Sequence, residues 1–388
     1  MRSYFFVVGG FFMMLQGCRE LYNPEVFAEN LGILVVEGYL DTEGNPSQLK
    51  ISRTVPLSYD SIASPESGAL VALSSDSGES FQLQEISPGL YQFEKDIDEE
   101  SRYRLEIVLS NGDRYESLEL KPIRTPEILE AGFVKDEDGV EIFVNTQGNE
   151  QADDFLWTYD ETWIFRPYTQ VGYIFDPMIN DVRDRKEVEQ IYTCYKTEPN
   201  PGILLESSSR FQDQVVFRQT ITEIPTGNER LQARYSILIS QMAIPSDAVA
   251  FWETLKRNTE DIGSIFSPLP SLISGNIVSV DGDKQVVGQV NLGVVRQHRL
   301  YIDREEISPW PYSNEIFFGC VVGPEPILIG TIEIFQYFGS GAYLPAQAFM
   351  GDGPVPAPGI LGYYPTEVRC GDCTLYADIT KPDFWEDE

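Results

Sequence analysis

Ile33-Leu34-Val35-Val36-Glu37-Gly38-Tyr39-Leu40 opens the stretch that decides the fold class. It is followed by Asp41-Thr42-Glu43-Gly44-Asn45-Pro46 and then by Gln48-Leu49-Lys50-Ile51-Ser52-Arg53-Thr54-Val55. The first segment is an apolar run of strand length. The second is dense in Asp, Gly, Asn and Pro, the residues that supply tight-turn dihedrals. The third alternates apolar and polar side chains, so one face packs and the other stays wet. Strand, turn and strand at this spacing predict an antiparallel pair.

The same pattern continues downstream. Further strands are expected at 69–73, 81–86, 90–93, 103–109 and 114–120, with turns at Gly68, Gly78, Pro88-Gly89 and Asn111-Gly112-Asp113. Seven short strands over residues 31–121 predict an immunoglobulin-like β-sandwich. The block holds no cysteine, so packing alone must sustain it. Lys121-Pro122-Ile123-Arg124-Thr125-Pro126 reads as a semi-rigid linker, because each proline restricts the residue before it. Residues 127–385 read as a larger antiparallel β domain, sandwich or barrel-like. Its strands are expected at 141–146, 155–165, 190–195, 214–221, 230–241, 285–295, 300–303 and 327–337. The chain is therefore mostly β, with one short helix. That helix is expected over 246–256, where Ala248, Phe251, Trp252 and Leu255 share a face. Pro245 and Ser246 suit its start and Gly263 its end; Phe251 and Trp252 read as core.

Residues 339–366 carry clustered Gly and Pro and are expected to form a long loop. Such a segment is a solvated connector, or a partner- or ligand-covering loop anchored by Tyr343, Phe349, Tyr363 and Tyr364. Trp310-Pro311-Tyr312 is the other local candidate for a glycan or peptide groove, with Trp310 and Tyr312 as its aromatic anchors.

Residues 1–17, MRSYFFVVGGFFMMLQG, join Arg2 to an apolar run too short to span a bilayer as a helix. With Cys18 they end in Leu15-Gln16-Gly17-Cys18, which resembles the lipobox of bacterial lipoproteins. The resemblance implies a signal peptide over 1–17, lipidation of Cys18 and a polar tether over 18–30. Cys194, Cys320, Cys370 and Cys373 remain, an even number that fits disulfides in an oxidising compartment. Four cysteines allow three pairings, and the sequence leaves all three open.

Composition bounds the chemistry. Among 388 residues, 28 Lys and Arg face 61 Asp and Glu, for a net charge of −33. Such a surface repels phosphate backbones, so no nucleic-acid partner is expected. One histidine excludes multi-His metal sites and leaves only His298 for a triad, in an apparent strand start without a nucleophile elbow. Asp160 and Glu161 are adjacent on a strand, so they point to opposite faces and cannot form a catalytic pair. Asp136-Glu137-Asp138-Gly139 and Asp281-Gly282-Asp283 read as turns and not as calcium loops. No nucleotide-binding glycine loop is present. The expectation is no enzyme, no cofactor and no metal.

The second block carries Thr158-Tyr159-Asp160-Glu161-Thr162-Trp163, Cys194-Tyr195-Lys196-Thr197, Tyr235-Ser236-Ile237-Leu238-Ile239-Ser240-Gln241 and Phe251-Trp252-Glu253-Thr254-Leu255-Lys256. Gly263-Ser264-Ile265-Phe266, Pro270-Ser271, Gly275-Asn276-Ile277, Cys370-Gly371-Asp372-Cys373 and Lys381-Pro382-Asp383-Phe384-Trp385 follow in order. Val36-Glu37-Gly38 and Gly89-Leu90-Tyr91 add matches in the first block. Together these strings resemble domain-of-unknown-function family 4249, lipoproteins of Bacteroidota. The resemblance implies an accessory outer-membrane lipoprotein, exposed at the cell surface, whose partner is a SusC-like TonB-dependent β-barrel. The alternative is a free-standing glycan- or peptide-binding or envelope-assembly lipoprotein. Asp60-Ser61-Ile62 also fits a short O-glycosylation acceptor pattern with Ser61 as acceptor.

Overall fold

The computed structural model describes residues 32–55, 64–200, 202–260, 275–280, 282, 284–312, 314–350 and 359–386. Cys18, the 18–30 tether, Ser61, Gly263, Asp281 and Asp283 lie outside these residues, as does the middle of the 339–366 segment.

The alternation in the opening stretch is realised. Leu34–Asp41 pairs antiparallel with Ser47–Arg53, whose Leu49 and Ile51 are buried while Gln48 and Lys50 are not. Two sheets face each other around Val36, Leu49, Ile51, Val71, Leu105 and Ile107. The expected sandwich is therefore present, but its membership differs from the expected 31–121. Val286–Gly293 joins the edge of the first sheet, parallel to Leu34–Asp41, and Ile277–Ser279 joins the edge of the second beside Arg114–Ser117. The chain leaves the sandwich near residue 121 and returns more than 150 residues later. Val290 and Leu292 contribute to the first core, so the 127–385 block is not one contiguous domain. Close approach fixes the seam: a Cβ at Gly288 would lie 2.4 Å from the Val36 carbonyl oxygen.

A second sandwich stacks Cys194–Pro199, Asp154–Phe165, Tyr235–Ile244 and Val295–Ile302 over Ile128–Lys135, Gly139–Gln147 and Val215–Pro225. Neither sheet closes on itself, which decides against a barrel. Phe155, Trp157, Trp163 and Tyr235 fill its core, and the Trp157 indole donates to Gln241 Oε1 at 2.9 Å. Helix α1, Ser246–Glu260, lies where expected, with Ala248 and Phe251 buried.

A third unit was not foreseen. Residues 339–366 are not one long loop: Tyr343–Met350 pairs antiparallel with Ile360–Glu367. Pro345 is tolerated because Tyr343–Met350 is an edge strand and a bulge follows the Pro345–Pro365 pair. The expected strand 327–337 also fails. Only Ile327–Leu328 is extended; Gly330 turns the chain at φ 75° and residues 332–339 coil into helical turns. Two further strand starts shift, to Cys194 and Tyr235. The hairpin Tyr173–Asp176 with Asp181–Asp184 completes the unit. Disulfides Cys194–Cys373 and Cys320–Cys370 sit where the unit meets the second sandwich, so the two halves of Cys370-Gly371-Asp372-Cys373 bond outward and not to each other.

Candidate functional site

Two surfaces of the third unit gather the sequence candidates. The first is a groove of about 610 Å³ whose walls include Tyr168, Tyr192, Tyr312, Phe317 and Phe318, with Glu315 as the one charged side chain. Its frame is fixed from several directions. Asn314 accepts from the Ile316 backbone N–H at 3.1 Å and donates to Glu229 at 2.5 Å. Glu229 in turn pairs with Lys196 at 2.6 Å, whose ammonium lies 4.5 Å from the Phe165 ring centroid. The Arg369 guanidinium donates to the carbonyls of Ile316 and Phe318, and Cys320 is tied to Cys370. Phe318 is held there with 89% of its surface exposed. Burial pushes the Tyr312 phenol above its ordinary pKa.

Trp310 corrects the sequence reading. It is buried in the second core and donates to the Asn228 carbonyl at 3.1 Å, so it supports the groove from behind and is no ligand platform. Only Tyr312 of the Trp-Pro-Tyr motif reaches the groove.

The second surface is apolar. The hairpin brings Tyr343, Phe349, Tyr363 and Tyr364 together, but in different roles. Tyr363 is buried against Tyr173, with ring centroids 4.9 Å apart. Phe349 meets Tyr364 edge-on at 5.9 Å, and Tyr343 lies 5.3 Å from Tyr337. Around them Ile332, Phe335 and Met350 are exposed. Phe335 touches Phe175 of the neighbouring hairpin, whose tip presents Met178 at 90% and Ile179 at 60% exposure. That hairpin is braced by Arg183, which donates to Asp176 at 2.7 Å and to both Glu189 oxygens at 2.8 Å. These bonds hold the Glu189 carboxyl down to about 2.

The remaining candidates are dispersed. His298 is exposed on the edge strand Val295–Ile302. Glu161 is buried between Arg230 and the Tyr235 hydroxyl, each at 2.6 Å, while Asp160 points to the other face. Asp136 accepts from the Asp138 and Gly139 amides, as a turn residue does. Among the described residues no group of three or more His, Cys, Asp or Glu could hold a metal ion.

Sequence reading missed Tyr168, Tyr192, Phe318, Met178 and Ile179. The last two carried a signal. Asp176-Pro177-Met178-Ile179-Asn180-Asp181 places an apolar pair at the tip of a turn sequence, where solvated residues are the rule. The groove aromatics carried none, since residues 168, 192 and 318 meet only in space.

The sequence profile described as "Domain of unknown function (DUF4249)" matches residues 19–299. No curated protein matches the chain. Among solved structures it is similar to a two-domain fibronectin type III segment of chicken tenascin, at 12% identity, 54% coverage of this chain and 90% of that one, with TM-score 0.16. A DUF4785 family protein of Legionella pneumophila is similar at 9% identity, over 53% and 48% of the two chains, also with TM-score 0.16. At such scores neither likeness carries an argument.

Proposed function

We propose that this chain, which belongs to the DUF4249 family, is a non-catalytic outer-membrane lipoprotein. It is anchored through Cys18 and docks on a SusC-like TonB-dependent β-barrel, where it helps capture or gate substrate. The observation that carries the reading is the apolar face of the third unit. Met178, Ile179, Ile332, Phe335 and Met350 are all exposed on this unit, in a chain whose net charge is −33. Exposed apolar clusters of this kind serve contact with other molecules. Anionic lipid is a poor occupant beside such negative charge, whereas a protein partner can match apolar area locally. The lipobox at 15–18 supplies the address, and the groove beside Phe318 gives a surface for substrate.

Copurification through a tag on this chain from native membranes tests the reading. A barrel should be recovered with the wild-type chain. Recovery should fall at least tenfold with Met178→Ser plus Ile332→Ser, both exposed positions. Cys18→Ala should release the protein from the membrane. Recovery of the lipidated chain with no barrel partner would overturn the docking claim and leave a free-standing binding lipoprotein.

A further inference from the structure

A third concavity lies away from both surfaces, where the first sandwich meets the second. This cleft of about 400 Å³ is floored by the outward face of Val286–Gly293 and walled by residues 118–121, 150–153 and the start of α1. On that strand Val290 and Leu292 point into the first core, so Gln289 and Asn291 point the other way. Both amides are buried nonetheless, at 5% and 3% exposure. Gln289 Nε2 donates to Asn291 Oδ1 at 2.9 Å, which fixes the Asn291 amide with its NH₂ directed away. That Nδ2 is buried and has no hydrogen-bond partner. An unsatisfied buried donor is destabilising, and a hydrophobic pair at 289 and 291 would not incur the cost.

The rest of the lining supplies the complementary chemistry. Glu119, Glu150, Asp153 and Asp247 face one lysine, Lys121, giving the walls a net charge of −3. Glu119 is paired with Arg102, but Glu150, Asp153 and Asp247 form no ion pair among the described residues. The fifteen-residue helix α1 opens at Ser246 and Asp247, so its first backbone N–H groups also border the cleft. An anion is excluded by the carboxylates. A ligand that satisfies the site carries a positive group for the carboxylates and an acceptor oxygen for Asn291 and the helix start.

We infer that this cleft binds a small primary ammonium bearing a hydroxyl or carbonyl oxygen on the neighbouring carbon. An amino sugar and the amino terminus of a peptide share that chemistry. The site is independent of the docking reading, since none of its residues belongs to the apolar face.

Calorimetric titration of the full-length chain in detergent tests it, with glucosamine and glycinamide as probes and their N-acetyl forms as charge-free controls. Either amine should bind at least tenfold more tightly than its acetylated form, and the tighter of the two identifies the source. Gln289→Leu combined with Asn291→Leu should weaken binding at least tenfold while leaving the thermal midpoint unchanged or higher, which a merely structural amide pair would not do. Asp247→Asn, at an exposed position, gives the same loss if the double variant fails to fold. No binding of either amine at 10 mM (about the weakest useful affinity), equal binding of the acetylated forms, or full binding by the folded variants would overturn the assignment.

Discussion

The first sandwich and the third unit use different means to stay folded. The first has no cysteine and rests on one continuous core in which Val36, Leu49, Ile51, Leu73 and Leu105 are each fully buried. The third divides its buried apolar residues into two small clusters, one of them built around four half-cystines. It also leaves Met178, Ile332 and Phe318 in solvent. Apolar side chains presented outward cannot contribute to a core, so a unit that displays them needs covalent support. The difference marks the third unit as the surface-presenting part of the molecule and the first as its scaffold.

Removing the covalent support should break the contrast most strongly. The Cys320–Cys370 bond closes a sequence separation of 50 residues. Cys320→Ser with Cys370→Ser should cost the third unit about 2–4 kcal/mol. Hydrogen exchange should then rise in residues 327–367 and not in residues 34–117. Gly288→Val attacks the other side. Its Cβ would collide with the Val36 carbonyl, so the parallel seam should open at a cost of about 1–3 kcal/mol. Faster exchange at 34–41, with the third unit unchanged, would be the signature.

Smaller effects sharpen the contrast. Met178→Ser should change the denaturation midpoint by no more than the equivalent of about 0.5 kcal/mol, because the side chain is 90% exposed. A large destabilisation would show that Met178 belongs to the fold and not to a docking face. The smallest effect is expected on acidification. Glu189 is held to about 2, below its ordinary value of 4.5, by Arg183. The stability it adds is therefore present above about pH 4.5 and is lost as the pH falls toward 2. A carbonyl NMR titration of Glu189 near its ordinary value would remove the brace from the 173–184 hairpin.

Legibility followed the range of the interactions. The opening hairpin was readable because alternation over Gln48–Val55 directly encodes one buried and one wet face. Helix α1 was readable for the same reason at a different period, with Ala248 and Phe251 buried on one face. The Tyr343–Glu367 hairpin was not, because its prolines and glycines mimic a loop locally. Pro345 becomes acceptable only at an edge and beside a bulge. Trp310 was misplaced because a tryptophan between prolines has the same local sequence whether it lines a groove or fills a core. Ser308-Pro309-Trp310-Pro311 carries no period to separate the two.

By itself the sequence determined the β class, the first sandwich's main strands, the helix, the even set of four downstream cysteines and the family. All of these rest on local periodicity, turn chemistry or strings of residues along the chain. Only the tertiary structure decided which cysteines pair, that residues 277–293 return to complete the first sandwich, and that Tyr168, Tyr192, Tyr312 and Phe318 share one groove. It alone placed Asn291 beneath a cleft at the junction of the two sandwiches. The physical reason is common to all four: each depends on residues far apart in sequence whose meeting is set by core packing, and strand periodicity records which face a residue takes but not what it will meet there.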